Sequence, residues 1–217
     1  MDDILRSYGD LLGEVDRWFT GCSTAYPQQI VCAGGCSSCC RGLFDITLPD
    51  AALLKSGFEL LPQAVRTDVT RKARERVKGI RKIWPEFSPP YLLSHRPEEE
   101  WPRIMPEDDD TPCVLLDPDG RCLLYDYRPM TCRLHGLPLV DLSGELLDDS
   151  FCPLNFAARD PLTVAGLRGE FAELFRKETD LISRFNSLFN ALPTAQMDTL
   201  IPAALLSDCS GHGRRRR

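Results

Sequence analysis

Cysteine spacing is the feature that most constrains how this chain can fold. The chain has ten cysteines in 217 residues, and eight of them fall into one spaced pattern. Four crowd into nine residues and four follow after a long gap: Cys32, Cys36, Cys39 and Cys40, then Cys113, Cys122, Cys132 and Cys152. Thiols packed this closely in a chain with no recognisable secretory signal indicate metal ligands rather than a disulfide framework. The loop at 32–40 is therefore predicted to meet the segment at 113–132 around a metal.

Length and composition show that the cysteines are not needed to staple a small fold. A chain of 217 residues with 43% hydrophobic and 27% charged residues can bury a core of its own. The acidic N-terminus lacks the basic segment and apolar stretch of a signal peptide. No apolar run approaches the roughly 18 residues of a membrane helix. We therefore expect a cytoplasmic protein with reduced thiols and no membrane segment.

Charge is distributed unevenly along the chain. The net charge of −6 argues against general affinity for nucleic acid. Basic residues nevertheless cluster at 66–82 and at Arg214–Arg217, and acidic blocks lie at Glu98–Glu100 and Glu107–Asp110. Because most charged helix faces are simply solvated, nucleic-acid binding is not expected, and the sequence identifies no protein partner.

Hydrophobic periodicity predicts a predominantly helical α+β fold, with one domain organised around the metal site. Regions 1–31, 32–152 and 153–217 would be an N-terminal helix, the cysteine-cluster region and C-terminal helices with an Arg-rich tail. Helices are predicted at 2–20, 62–84, 161–191 and 194–206, with another opening at Pro49–Asp50. A short strand is predicted at 44–48, hairpins at 113–125 and 137–147, and an irregular surface loop at 85–112.

The loop cysteines have the spacing of metal ligands. Cys36 and Cys39 form a CxxC knuckle, which lets two thiolates converge on one ion or on one edge of a cluster. Cys40 follows at once, and adjacent side chains diverge. Cys39 and Cys40 would therefore serve different irons of a cluster or two separate sites, or one of them would be a reactive thiol beside the metal.

Cys132 has the setting expected of a stabilised thiolate. Pro129 predicts a helix start that places Cys132 in the first turn, near the positive end of the helix dipole. Arg128 and Arg133 flank it and would compensate thiolate charge, form structural pairs or bind an anion, the first two being favoured over the third. His135 is a candidate mixed ligand, although a lone histidine is more often structural.

The number of thiols leaves the kind of metal open. Eight thiols fill two four-thiolate sites, or one site with reactive thiols left over, and all-thiolate ligation suits both iron and zinc. The surplus of thiols and the adjacent pair favour an iron–sulfur cluster, [4Fe–4S], over zinc. Cys22 and Cys209 fall outside the pattern and are predicted to be ordinary free cysteines.

At these residues the chain resembles the YkgJ-type cysteine-cluster family, a zinc- or iron-chelating domain with the pattern CxxCxxCC. The match is closest where Pro112-Cys113 precedes Gly120-Arg121-Cys122 and then Arg128-Pro129-Met130-Thr131-Cys132-Arg133. The first gap departs from the family pattern, since three residues separate Cys32 from Cys36. The resemblance covers about residues 32–152 and implies a metal or iron–sulfur site built from the matching cysteines.

Catalysis is a second hypothesis. One branch of that family resembles a lysine methylase that acts on flagellin, so the resemblance allows a metal-dependent enzyme of lysine methylase-like or redox type. Tyr125, Arg128 and Arg133 are the polar groups nearest the ligands in sequence, and Asp126 could pair with Arg128. Nothing in the chain matches a nucleotide-binding loop, so no catalytic residue is predicted.

Overall fold

Helices account for most of the structure, as the sequence predicts. The computed structural model describes residues 1–148, 151–188 and 197–207. Its helices are α1 (Asp2–Ala25), α2 (Leu48–Leu60), α3 (Gln63–Ile83), α4 (Met130–Leu134), α5 (Phe171–Ser187) and α6 (Ile201–Leu206). Two small antiparallel sheets pair β1 (Asp45–Thr47) with β4 (Asp198–Leu200), and β2 (Leu139–Val140) with β3 (Leu146–Asp148). This architecture confirms the predicted fold class.

The N-terminal helix α1 buries the apolar stripe that its sequence predicts. Tyr8, Leu11, Leu12 and Val15 lie on one face and are all buried. That face packs against α5 in the first hydrophobic cluster. The helix runs five residues past its predicted end, so Cys22 lies within it and is buried. Among the described residues, no helix combines the length and apolar character that crossing a membrane requires.

The β1 strand leads directly into α2, and its last residue caps that helix. The Thr47 hydroxyl accepts the Asp50 N–H at 3.3 Å, and Pro49 occupies the first turn. Ile46 pairs with Thr199 in the sheet with β4. Helix α6 follows β4 and packs against both α2 and α3. The pairing of β1 with β4 therefore holds the C-terminal segment beside the chain that leaves the cysteine loop.

The segment at 85–112 is not the surface loop that its prolines and acidic residues predict. Phe87, Tyr91, Leu93 and Ile104 are buried and form a cluster with α3 and α6. Asp109 forms an ion pair with Arg76 of α3. Part of the second acidic block therefore neutralises charge on the basic face of that helix. The stretch has no α-helix and no strand, as predicted, but its aromatic and aliphatic residues are buried by the packed helices while most of its charged residues remain exposed.

One of the two predicted hairpins forms. The β2–β3 pair confirms the hairpin at 137–147. The 113–125 segment instead folds as a turn with one isolated bridge, between Leu116 and Cys122. The Asp117 carboxylate accepts the N–H groups of Asp119 and Arg121 at 2.9 and 2.8 Å, which closes the turn. The ladder does not lengthen because the Cys113 N–H is bonded elsewhere, to the cysteine loop.

The C-terminal helix begins later than predicted. The 161–167 stretch forms two 3₁₀ turns, and α5 begins only at Phe171. The Gly169 N–H donates to the Val140 carbonyl at 3.0 Å, so this backbone is bonded to the β2 strand rather than within a helix. The predicted helix at 194–206 is shorter, because β4 precedes α6. Residues 189–191 and 194–196 of the two predicted helices lie outside the described residues.

Candidate metal centre

The first four cysteines lie on the loop that joins α1 to β1. Two tight turns shape this loop: the Cys36 N–H donates to the Ala33 carbonyl at 2.9 Å, and the Cys40 N–H donates to the Ser37 carbonyl at 3.0 Å. Gly35, within the first turn, has a φ of +92°, a conformation that favours glycine. The turns bring four thiols into a short length of chain that has no regular structure of its own.

The turn at 117–121 packs directly against this loop. Gly120 has a φ of +76°, and a side chain there would come within 3.2 Å of the Gly35 carbonyl and of the Ser37 hydroxyl. The Cys113 N–H donates to the Cys40 carbonyl at 2.9 Å, and Arg41 forms a bridge with Pro112. The structure thus brings the two halves of the cysteine pattern together.

Three cysteines from the second half share one apolar environment, and Cys40 lies close to them. Cys113, Cys122 and Cys132 are partly buried against the second hydrophobic cluster, which includes Leu54, Val114, Leu115 and Leu124. The thiolates of Cys113, Cys132 and Cys122 each oppose ionisation of the Cys40 thiol, so all three lie close to it. These four cysteines are called group B below.

The remaining cysteines of the pattern are those whose thiolates act on Cys32, together with Cys32 itself. Cys32 packs against the fourth hydrophobic cluster, which includes Cys22, Ile30, Leu137 and Phe156. Burial raises the pKa of Cys32, and the thiolates of Cys152, Cys36 and Cys39 raise it further. Cys152 is buried and Cys36 is exposed. Cys32, Cys36, Cys39 and Cys152 are called group A below.

Asn155 ties group A together, and nothing in the cysteine pattern predicts it. Its amide Nδ2 donates to the Cys32 Sγ at 3.2 Å and to the Gly136 carbonyl, and its Oδ1 accepts the Val31 N–H at 2.9 Å. Its own N–H donates to the Cys152 carbonyl at 3.0 Å. A hydrogen bond donated to sulfur favours the thiolate. The bond from Asn155 therefore offsets part of the rise that burial causes in the pKa of Cys32.

The adjacent pair lies where the two groups meet. Cys39 donates its S–H to Cys40, which raises the pKa of Cys39 and lowers that of Cys40. Cys40 is therefore the more acidic thiol of the pair. Proton sharing of this kind between neighbouring thiols is replaced by metal–sulfur bonds when both are ligands, because a ligating thiol is deprotonated.

Cys132 does not have the stabilised thiolate that its position in the sequence predicts. Pro129 is the residue before α4, and Cys132 does lie in the first turn. Burial nevertheless raises the pKa of Cys132 well above its usual value, and the thiolates of Cys113 and Cys122 raise it further. The same cause, burial, raises the pKa of Cys113 to about 11. Desolvation outweighs the dipole of a helix only five residues long.

The two arginines beside Cys132 are paired with Asp16 of α1. Arg128 lies 2.9 Å from the Asp16 carboxylate, and Arg133, only 5% exposed, pairs with the same group. The Arg133 Nε also donates to the Arg128 carbonyl at 2.9 Å. Arg128 stacks on the Tyr125 ring, 3.8 Å from its centroid. Burial raises the pKa of Cys122, and the Arg128 guanidinium offsets part of that rise, so Arg128 combines structural pairing with charge compensation.

His135 lies apart from the thiols in its contacts. Its ring makes an edge contact with Phe44, 6.2 Å between centroids, and it lines a cavity with Asp148 and Glu178. Burial lowers the pKa of His135. These contacts favour the structural role over a mixed metal ligand. Cys209 lies outside the described residues, and Cys22 is a buried free cysteine whose thiol donates to the Gly166 carbonyl.

The thiol groups are suitable ligands for a metal, although their sulfur atoms do not converge on one point in this structure. Thiolates are the ligands that zinc and iron–sulfur clusters share. Within the described ranges, no group of three or more Cys, His, Asp or Glu side chains is arranged as it would be around an ion. Binding would therefore draw the loop at 32–40 further toward its neighbours, as happens where metal binding and folding are coupled.

Fold and site together define a small helical protein with a cysteine cluster for chelation. A family model described as "CxxCxxCC: Putative zinc- or iron-chelating domain" matches residues 31–153. This match covers more than half of the chain, so the protein belongs to that family, which confirms the resemblance seen in the sequence. No curated protein and no solved structure matches the chain significantly.

Replacing Asn155 by alanine should destabilise the protein and weaken its hold on metal. The change leaves the buried Gly136 carbonyl and the partly buried Val31 N–H without the partners that Asn155 supplies, at a cost of about 2–3 kcal/mol. Urea unfolding gives the free energy, and metal content after dialysis gives retention. Asn155→Asp is the matched control, since it keeps the acceptor for Val31 and loses the donor to Cys32. Equal unfolding free energies for Asn155→Ala and the wild type would contradict this role.

Proposed function

We propose that this chain is a cytoplasmic metal-binding protein whose eight patterned cysteines hold iron as an iron–sulfur cluster, [4Fe–4S] being favoured, with zinc as the alternative. The single observation that carries the proposal is the meeting of the loop at 32–40 with the 113–132 segment, through the Cys113–Cys40 hydrogen bond and the packing of Gly120 on Gly35. Two stretches far apart in sequence have no other evident reason to bring so many unpaired thiols together.

The protein environment supports a cluster or ion with several thiolates. Apolar residues surround group B, and such surroundings exclude water from iron–sulfur centres and tune them. The Arg128 guanidinium near Cys122 and Cys39 reduces the negative charge that gathers when thiols ionise. Asn155 supplies a hydrogen bond to sulfur of the kind that orients ligands around a metal.

Anaerobic purification followed by elemental analysis and a visible spectrum tests the proposal. Iron with equimolar sulfide and a broad visible band would support the iron–sulfur assignment. Colourless protein with stoichiometric zinc would replace the cluster by zinc while keeping the chelating function. Folded protein with reduced thiols and no affinity for either metal would overturn the proposal.

A second candidate function, a metal-dependent enzyme of lysine methylase-like or redox type, is favoured by one observation. A cavity of about 550 Å³ lies beside α4, the helix that carries Cys132. Five carboxylates are among the residues that line it: Asp45, Asp50, Asp148, Glu178 and Asp198. Such a cavity would suit a cationic group such as a lysine ammonium. Calorimetric titration with N-acetyl-lysine amide, compared with its ε-acetylated form, tests this, and equal heats from both would count against it.

The cavity carboxylates make a separate prediction about pH. Burial and then the Asp50 charge raise the pKa of Glu178 to about 7 from 4.5, and burial is likewise the largest cause that raises the pKa values of Asp50 and Asp198 to about 6. A carboxyl whose pKa is higher in the folded state binds more protons there, so its contribution to stability is full below the unfolded pKa and is lost as the pH rises through the folded one. For Glu178 this loss spans roughly pH 4.5 to 7.

Glu178→Gln should therefore gain stability relative to the wild type as the pH rises. Glutamine cannot ionise, and its oxygen still accepts the Tyr8 hydroxyl that Glu178 now accepts at 3.0 Å. The difference in unfolding free energy between pH 5 and pH 8 should change by on the order of 1–3 kcal/mol in favour of the variant. Urea unfolding at both pH values measures it, with the exposed Glu59→Gln as control. A difference that stays constant with pH would contradict the assignment.

A further inference from the structure

We propose that the eight cysteines form two separate four-thiolate metal centres, one from group A and one from group B, which adjoin at the vicinal pair. Group A is Cys32, Cys36, Cys39 and Cys152, and group B is Cys40, Cys113, Cys122 and Cys132. This inference rests on the proposed function and deepens it, because it assigns each cysteine to one of two centres, each of which holds either one zinc ion or one cluster.

Packing separates the two groups. Cys32 of group A lies against the hydrophobic cluster of Ile30, Leu137 and Phe156. The three distal cysteines of group B lie against a different cluster, which includes Leu54 and Leu115. Because ligands of one ion must converge to within a few ångströms of each other, thiols embedded in two different apolar clusters are better placed to serve two centres than one.

Backbone contacts divide the loop in the same way. The Cys40 carbonyl accepts the Cys113 N–H at 2.9 Å, and the next residue, Arg41, bridges to Pro112. These contacts attach Cys40 to the chain that carries the rest of group B.

At the other end of the loop, Asn155 joins Cys32 to Cys152. Its side chain donates to the Cys32 Sγ at 3.2 Å, and its backbone N–H donates to the Cys152 carbonyl at 3.0 Å. Cys36 lies between, in the turn closed by the Ala33 carbonyl. Cys32 and Cys152 are thus joined through Asn155, by contacts that involve no residue of group B.

The division leaves one cysteine of the vicinal pair on each side. Two adjacent thiolates on one tetrahedral ion would strain the backbone, so the division assigns Cys39 to group A and Cys40 to group B, and the hydrogen bond between the two thiols marks where the centres adjoin. Each side then has four thiols, the number that closes a tetrahedral zinc site or a cubane cluster. Cys22 joins neither group, since its thiol donates to the Gly166 carbonyl.

Stepwise metal removal from the wild-type protein tests the division without any variant that could misfold. Anaerobic holoprotein is treated with increasing chelator and alkylated, and intact-mass and peptide mass spectrometry then count and locate the labels. Two centres predict populations with eight, four or none of the patterned thiols protected. The four protected together should be all of group A or all of group B. Protection of one fixed set of four, or of sets that mix the groups, would overturn the division.

Paired variants give a second, independent readout. Cys36→Ser with Cys152→Ser, and Cys113→Ser with Cys122→Ser, should each halve the metal bound per chain, and the combined variant should bind none. Cys22→Ala, as control, should keep the full content. A single centre predicts instead that one pair abolishes binding and the other leaves it unchanged. If the wild-type protein itself binds no metal, the proposed function fails; if it binds metal in other proportions, the division alone fails.

Discussion

Removing the metal should lower the midpoint of thermal unfolding by about 10 °C or more. The loop at 32–40 and the 113–125 turn contain almost no regular structure. A metal bound by cysteines of both segments would therefore add links between them that the secondary structure does not supply. Structural zinc sites contribute apparent binding free energies of about 10–16 kcal/mol in small domains. Here the helical core remains, and a loss of about 3–5 kcal/mol suffices, because each kcal/mol shifts the midpoint by about 2–4 °C in a chain of this size.

Calorimetry of anaerobic protein before and after chelation measures this effect. Restoring the metal should restore the midpoint, which separates metal loss from damage by the chelator. Cys22→Ala is the matched control, because it removes a buried thiol outside both groups and should respond to chelation as the wild type does. A metal-free protein that keeps the midpoint of the loaded protein would show that the cysteines do not hold the fold together.

Asp50→Leu should be the most damaging single substitution outside the cysteines. Asp50 is 2% exposed, and its carboxylate accepts the Met130 N–H and the Thr47 hydroxyl, each at 3.1 Å. It therefore fixes the start of α4, the helix of Cys132, to the start of α2. Leucine fills similar space but leaves both donors unsatisfied in the interior, at a cost of about 2–4 kcal/mol. Urea unfolding of the metal-free protein should show this loss.

The matched control for this substitution is Asp50→Asn. Asparagine keeps an oxygen for the Met130 N–H, so most of the stability should remain. Metal content separates two effects: Asp50→Leu should also release metal more readily, since it displaces Cys132. A leucine variant as stable as the asparagine variant would contradict the role assigned to these hydrogen bonds.

Local patterns were enough to predict the helices and one sheet. The apolar stripe of α1 and the basic helix α3 follow from periodicity, and Pro49 marks the start of α2. The β2–β3 hairpin follows from its turn residues. These features depend on neighbours in the chain, and a single sequence contains that information.

Features that depend on distant contacts were not predictable. The 85–112 segment has the composition of a loop, but its aromatic residues find a buried surface that only the packed helices create. The Cys113 N–H donates to the Cys40 carbonyl in the cysteine loop, and so it is not available for a hairpin ladder. Helix α5 begins later in the sequence than predicted because the Gly169 N–H is bonded to the Val140 carbonyl and not within a helix.

The candidate site shows the same division. Cysteine spacing predicted that the loop at 32–40 meets the segment at 113–132, and the hydrogen bond from the Cys113 N–H to the Cys40 carbonyl joins them. It could not predict the setting of Cys132, since burial depends on the cluster formed by α2 and the 113–125 turn. The pairing of Asp16 with Arg128 and the bonds of Asn155 to Val31 and Cys32 carry no signal in the sequence, because their partners are more than a hundred positions apart.

X-ray absorption at the metal edge of the anaerobically purified protein tests the central claim most directly. We expect a first shell made of sulfur alone, at about 2.3 Å for zinc, with an added metal–metal scatterer if iron forms a cluster. The same measurement distinguishes iron from zinc by the edge itself. A first shell dominated by nitrogen or oxygen would contradict the claim that the patterned cysteines hold the metal.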